Sequence, residues 1–268
     1  DDAEMYFKKL LTQERFRANA YYHLGEVATQ TNRPTTAIDR FLRVDRGELI
    51  VESRKKAAEI AIKEGNIDRA ARWFHEARLM YPHLKTELWL GEAQIQTQNQ
   101  RADAAILILN SEIAKTPNKA ELLYIRALAF EQLNKIADAE RDLRTILAQN
   151  PSDPDALNAL GYTLADRTTR FDEALNLITQ ALEAKPESPA ILDSMGWVLH
   201  KLRRHSEAII YFEKAWKIVQ DHEIAAHYGE VLWVIGEREK AFEIWDRGYE
   251  SKPESEIIRS TINRLVNS

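Results

Sequence analysis

Seven alanines recur along this chain at a near-constant interval. Ala37, Ala70, Ala105, Ala139, Ala174, Ala208 and Ala241 follow one another at spacings of 33 to 35 residues. Twelve residues before each alanine (thirteen before Ala174) stands a second small residue: Gly25, Ala58, Ala93, Ala127, Gly161, Gly196 and Gly229. Four residues after each comes a large apolar one: Phe41, Phe74, Leu109, Leu143, Ile178, Phe212 and Trp245. One helix cannot place all three on one face. Two antiparallel helices joined by a short turn can, because they approach closely only where both are small, and the large side chain one turn later fills the space beside that contact. A period of this length marks a repeat architecture, in which no unit buries its own apolar face without neighbours.

The period divides the chain into seven units near 18–50, 51–85, 86–119, 120–153, 154–188, 189–221 and 222–254. The fifth carries one extra residue in its turn, around residues 167–170. The segments are rich in Ala, Leu, Glu, Lys and Arg, which favours helix. Gly65 and Gly236 fall at the turn inside a unit, where positive φ ends the first helix. Pro82, Pro117, Pro151, Pro186 and Pro253 fall between units and stop the second helix. Pro154 and Pro189 open first helices behind the candidate caps Asp153 and Ser188. Gly47, Gly91 and Pro34 find no clear place in this scheme. Residues 255–267 carry Ile258, Ile262 and Leu265 at helical spacing and read as a C-terminal capping helix. Residues 5–14 read as the second helix of an incomplete unit, with further repeats expected upstream. The expectation is a single array over 1–268 with no second domain.

Composition narrows the function. Hydrophobic residues make up 44% and charged residues 29%, as in an ordered chain rather than a disordered one. Thirty-seven basic and 42 acidic residues give a net charge of −5, so nothing draws the chain to nucleic acid. Cysteine is absent, which excludes a disulfide, a thiolate nucleophile and a cysteine metal site. No apolar run reaches the roughly 20 residues that span a bilayer. The chain opens at Asp1 without methionine, and any export signal or lipid anchor would lie upstream. His222 and His227 are five apart, as are His200 and His205, so neither pair shares a helix face in the manner of metal ligands. These histidines read as surface or partly buried. Ser194-Met195-Gly196 lies inside a helix and is no nucleophile elbow. Arg203-Arg204 and Lys55-Lys56 read as solvated helix ends. Neither a catalytic constellation nor a cofactor or metal site is expected.

A helix–turn–helix unit of about 34 residues with these small positions resembles the tetratricopeptide repeat (TPR). The resemblance implies an all-α, right-handed superhelical solenoid of about seven repeats plus the capping helix. It covers residues 18–253. Local departures are Glu112 and Ile146 at the third small position, and the missing terminal proline in the first unit and in the sixth, where Val219-Gln220 stands. The runs ALNALGYTLADRTTRFDEA (156–174), ILDSMGWVLHKL (191–202) and HEIAAHYGEVLWVIGEREKAFEIW (222–245) are similar to proteobacterial outer-membrane TPR lipoproteins. Within these they resemble the adaptor of a periplasmic carboxy-terminal processing protease. That resemblance implies a non-enzymatic, lipid-anchored scaffold in the periplasm that brings the protease to cell-wall hydrolase substrates. Two alternatives are a TPR lipoprotein that pilots secretin or pilus assembly, and a regulatory part of a larger enzyme. Self-association through an open end of the array is also compatible.

In the TPR family the first helices line a concave groove. Carried over, its groove positions are Tyr22, Lys55, Glu59, Tyr124, Glu131, Asn158, Tyr162, Asp166, Asp193, Trp197, His200, Lys201, Glu230 and Trp233. Aromatic residues mixed with acids suit a basic or neutral protein segment. The fifth and ninth positions hold Lys55 with Glu59 and Asn158 with Tyr162, not the Lys and Asn of a two-carboxylate clamp, so an acidic C-terminal tail is not the expected ligand.

Overall fold

The computed structural model describes residues 2–115 and 119–266, and no strand occurs among them. The helices run α1 (Asp2–Leu10), α2 (Arg17–Gln30), α3 (Pro34–Leu42), α4 (Leu49–Lys63), α5 (Ile67–Met80), α6 (Lys85–Gln98), α7 (Ala102–Ile113) and α8 (Ala120–Gln132). They continue as α9 (Ile136–Gln149), α10 (Pro154–Arg167), α11 (Phe171–Ala184), α12 (Pro189–Lys201), α13 (His205–Ile218), α14 (His222–Val234), α15 (Arg238–Ser251) and α16 (Glu256–Val266). Six sequence units fold as packed helix pairs, α2–α3, α4–α5, α6–α7, α10–α11, α12–α13 and α14–α15; α8 and α9 carry the fourth sequence unit, and α16 packs on α14 as the cap. The architecture is the all-α helix-pair arrangement expected. The chain groups into two compact units, Asp1–Asn134 and Lys135–Ser268, where the sequence suggests one continuous array. The division falls in the turn of the fourth repeat.

The repeat signature is the core. All seven alanines are at most 2% exposed, and so are the seven large residues that follow them. A Cβ built on Gly25 would meet the Phe41 ring at 2.6 Å, one on Gly196 the Phe212 ring at 2.7 Å, and one on Gly229 would overlap the Trp245 indole. The choice of glycine or alanine thus follows the partner. Glycine stands opposite Phe41, Phe212 and Trp245, and opposite the branched Ile178, whose Cγ1 a Cβ on Gly161 would meet at 2.5 Å, whereas Ala93 stands opposite Leu109. Phe74 breaks this rule, since it faces Ala58. Its ring lies instead against Gly91 of the next repeat, where a Cβ would sit 3.3 Å from Phe74 Cε1. Gly91 therefore belongs to the packing scheme after all.

The turns follow the backbone as strictly. Gly65 and Gly236 have φ of 78° and 92°, and Asn32, Gln100, Asn134 and Arg203 occupy the same rank at φ of 53° to 62°. Only the fifth repeat differs. Its extra residue lets α10 end in extended backbone at Thr168, whose hydroxyl donates back to the Leu164 carbonyl at 2.6 Å. Pro34 occupies the first turn of α3, and Gly47 (φ 80°) turns the loop before α4.

Three expectations need correction. The N-terminal helix spans Asp2–Leu10 rather than 5–14, because the chain turns at Leu11 to Gln13 before a short 3₁₀ segment, Glu14–Phe16. Ser188 holds the cap position of α12 with extended backbone, but its side chain makes no capping bond; Asp153 does, accepting from the Ala156 N–H at 3.0 Å. Lys55 and Lys56 lie within α4, not at its end. Pro117 and residue 267 of the cap lie outside the described residues.

The first repeat lacks a terminal proline, and Arg54 serves instead. Buried to 3% exposure on α4, it donates to the carbonyls of Phe41 and Val44 at 3.1 and 3.2 Å, closing the end of α3. Burial presses its guanidinium below the usual range, opposed by Tyr81 and Glu76. Arg54→Met keeps the stem's packing but takes the side-chain donor from both carbonyls, leaving the Phe41 carbonyl with the Val44 N–H at 3.2 Å. It is expected to lower the stability of the 1–134 unit by about 2 kcal/mol, read as a shift of the urea midpoint at unchanged slope.

Candidate functional site

The first helices α10, α12 and α14 with the cap α16 carry a polar network in the 135–268 unit. His227 on α14 is its hub. Its Nδ1 donates to Asp193 Oδ2 on α12 at 2.8 Å, and its Nε2 lies 3.3 Å from the Tyr162 hydroxyl on α10. Trp197 stacks on two imidazoles, 4.3 Å from His227 and 5.3 Å from His200. The Trp197 indole N–H donates to Asp166 Oδ1 at 3.1 Å, and Lys201 sits 4.7 Å above the same ring and 3.7 Å from that carboxylate. Glu230 accepts two bonds from Arg264 of α16, at 3.0 and 2.6 Å, and lies 3.9 Å from His200 Nε2.

Charge and burial set the protonation states. His227 is fully enclosed. Burial resists its protonation, but the charge and hydrogen bond of Asp193, helped by Asp166 and Glu223, outweigh that and raise its pKa above the ordinary value. As an imidazolium it donates from both nitrogens, to Asp193 and to the Tyr162 oxygen. His200 goes the other way. Burial pushes it down to about 4, against Glu230 and with His205, Lys201 and His227. It stays neutral near pH 7 and shares a 3.1 Å Nδ1–Nδ1 contact with His205, in which one ring donates and the other accepts. Asp193 Oδ1 and Asn158 Oδ1 are buried with no partner among the described residues, a cost the rest of the network must cover.

A histidine whose folded pKa lies below its ordinary value contributes fully above the unfolded pKa, and the contribution is lost as pH falls through the folded one. For His200 that window runs from 6.5 down to about 4. His200→Gln is expected to flatten this acid limb of stability, checked by urea melts at pH steps across the window.

Seven of the fourteen groove candidates are thus joined by direct contacts: Tyr162, Asp166, Asp193, Trp197, His200, Lys201 and Glu230. Asn158 lies one turn before Tyr162 on α10. Trp197 is only 5% exposed and is held by His227, His200 and Lys201 against its ring and by Asp166 at its N–H, so it organises the network more than it offers a free ring. Trp233 lies apart from the network. It packs on Phe242 and Trp245 of α15 with Arg238 4.8 Å above it. In the 1–134 unit, Tyr22 packs on Phe41, Lys55 pairs with Glu52 at 3.3 Å, and Tyr124 and Glu131 are half-buried on α8. Glu59 lines a cavity of 190 Å³ between α2 and α4 with Glu26, Gln30 and Lys63. Burial and then the charges of Glu26, Glu52 and Glu59 raise the Tyr22 pKa. His227 and Arg264 were absent from the sequence-derived candidates. No group of side chains among the described residues could hold a metal ion, and no described helix is long and apolar enough to cross a membrane.

Residues 69–229, more than half of the chain, match the family model of the tetratricopeptide repeat protein 21 C-terminal ARM domain. The chain belongs to the tetratricopeptide repeat family. It is 35% identical over 249 residues to the TPR repeat-containing protein PA4667 of Pseudomonas aeruginosa, an alignment that covers 93% of this chain and 42% of that protein. It is 24% identical over 194 residues to bacteriophage adsorption protein A of Escherichia coli, covering 72% of this chain and 19% of that one. The TPR chain therefore spans less than half the length of either relative. Among solved structures, yeast Tom70 superimposes with a TM-score of 0.71 at 17% identity, over 98% of this chain and 57% of its own. A TPR protein from Parabacteroides merdae gives 0.68 at 16%, over 93% and 99%. These two likenesses establish the fold alone. TPR proteins are in general non-enzymatic scaffolds, and TPR folds usually bind protein partners.

Proposed function

We propose that this TPR chain is a protein-binding scaffold, and that its partners are a periplasmic carboxy-terminal processing protease and the cell-wall hydrolases that the protease degrades. In this role the chain performs no chemistry. It holds protease and substrate together, which raises their effective concentration for each other. A lipid anchor outside this sequence would keep the assembly at the outer membrane, facing the periplasm.

The observation that carries the scaffold reading is the convergence of groove-position residues from α10, α12 and α14 on one network, held rigid by α16. A preorganised surface loses little freedom on binding. The resemblance of 156–174, 191–202 and 222–245 to protease-adaptor lipoproteins supports the choice of partners. Pull-down with the purified chain from a periplasmic extract tests it. The expected result is co-recovery of a processing protease with at least one cell-wall hydrolase. Recovery of a secretin subunit without either would replace this reading with a pilot role in secretin assembly.

A further inference from the structure

On the side of the 135–268 unit formed by second helices, three equivalent crevices lie between consecutive repeats. Two are closed, each by a different chemistry. Between α9 and α11 an ionic bridge spans the gap: Arg144 donates to Glu173 at 2.6 Å, and Arg170 donates to Glu140 at 2.9 Å. Between α13 and α15 the gap holds Trp216, 6% exposed, with Arg247 of α15 5.6 Å from its ring, while Tyr228, 7% exposed, stacks on Phe212.

The crevice between α11 and α13 has neither. Leu175 and Thr179 occupy the ranks of Glu140 and Arg144, one period of 35 residues later. Arg204 and Glu207 keep the ranks of Arg170 and Glu173. They bond each other twice, at 2.7 Å, and Arg170 and Glu173 likewise pair twice, but α11 offers no ionic counterpart at the ranks of Glu140 and Arg144. Leu182 stands where the next repeat has Trp216, and Met195 where it has Tyr228. The missing ions and missing ring volume leave an open hollow of 430 Å³ walled by Leu175, Leu182 and Tyr211 over Met195. Thr179 spends its hydroxyl on its own helix, donating to the Leu175 carbonyl at 2.7 Å, which leaves the Tyr211 hydroxyl as the polar group beside the apolar side chains of the wall. Glu183 stands at the rim, exposed, with no cation paired to it among the described residues.

We propose that this hollow is a second docking surface, separate from the groove, for a protein segment that inserts one aliphatic or aromatic side chain and sets a neighbouring Lys or Arg on Glu183. The apolar walls and the self-satisfied Arg204–Glu207 pair select an apolar anchor, and the one unpaired charge selects a cation beside it. The homologous crevice shows that a large ring fits this geometry when the chain supplies it from within.

The test uses the whole chain and a random-peptide phage library, with enriched peptides synthesised, labelled and titrated by fluorescence anisotropy. Leu182→Trp should fill the hollow in the manner of Trp216. Leu175→Glu/Thr179→Arg should restore the ionic bridge on two solvent-facing positions, so that one variant remains informative if the other misfolds. The expected result is enrichment of an apolar residue next to Lys or Arg, with affinity reduced about tenfold in either filled variant. Glu183→Lys should weaken the same peptides about threefold. Peptides that bind the filled variants as well as the parent chain, or an enriched set without a cation, would overturn the proposal. So would self-association of the parent chain that Leu182→Trp abolishes, since the occupant would then be a second copy.

Discussion

Replacing Gly229 by alanine is expected to destabilise the 135–268 unit by about 3 kcal/mol, at the upper end of overpacking costs. The added methyl overlaps the indole of Trp245, which is fully buried and pinned in its own repeat by Trp233 and Phe242. Trp233 and Phe242 resist a shift of the ring, so much of the strain falls on the helix pair. Trp245→Leu alone is expected to cost a similar amount, through the cavity it leaves. The double variant should cost clearly less than the sum, because alanine opposite leucine is the pairing used at Ala93–Leu109. A double-mutant cycle from urea unfolding measures that coupling. A strictly additive pair would show that the glycine answers to something other than its partner's volume.

The second large effect is at the hub. Asp193→Ala removes the charge bonded to buried His227, and breaking a buried pair from one side costs about 3 kcal/mol or more. The sign of its pH dependence follows from the raised pKa of His227. A histidine of this kind contributes fully below its unfolded value and loses the contribution as pH rises through the folded one. The destabilisation by Asp193→Ala should therefore be largest below pH 6.5 and shrink in alkaline solution. Replacing both partners, as Asp193→Leu with His227→Phe, should recover most of the loss, since apolar side chains leave no charge unpaired. Intrinsic fluorescence during urea unfolding at several pH values follows both variants.

The fold was legible because close helix packing is sterically exacting. A position that tolerates only glycine or alanine leaves the same mark in every unit, and positive φ marks the turns. The division into two compact units was not legible, since the repeat period runs through residues 134 and 135 without change. In the site, Tyr162, Asp166, Asp193, Trp197, His200, Lys201 and Glu230 were found because the family's geometry assigns their ranks to the groove. His227 was missed because it was tested as a metal ligand, by spacing within one helix. Its actual partner lies one period away. The signal was present at that separation: His227 follows Asp193 by 34 residues, as Arg264 follows Glu230. In a repeat array, complementary charges one period apart play the part that i,i+4 pairs play within a helix. The crevice between α11 and α13 was invisible for a related reason. It is defined by what Leu175, Thr179, Leu182 and Met195 lack relative to their counterparts in adjacent repeats.

The bond from Tyr162 to His227 joins the fifth repeat to the seventh, passing over the sixth. Arrays of this kind unfold as a row of elements in which each feels only the one beside it, and fraying can stop at any boundary. A direct tie between second neighbours removes two of those stopping points. The slowest amide hydrogens of α10, α12 and α14 should then exchange with one common opening free energy instead of three graded ones. Tyr162→Phe should separate them, so a single hydroxyl sets the size of the cooperative block.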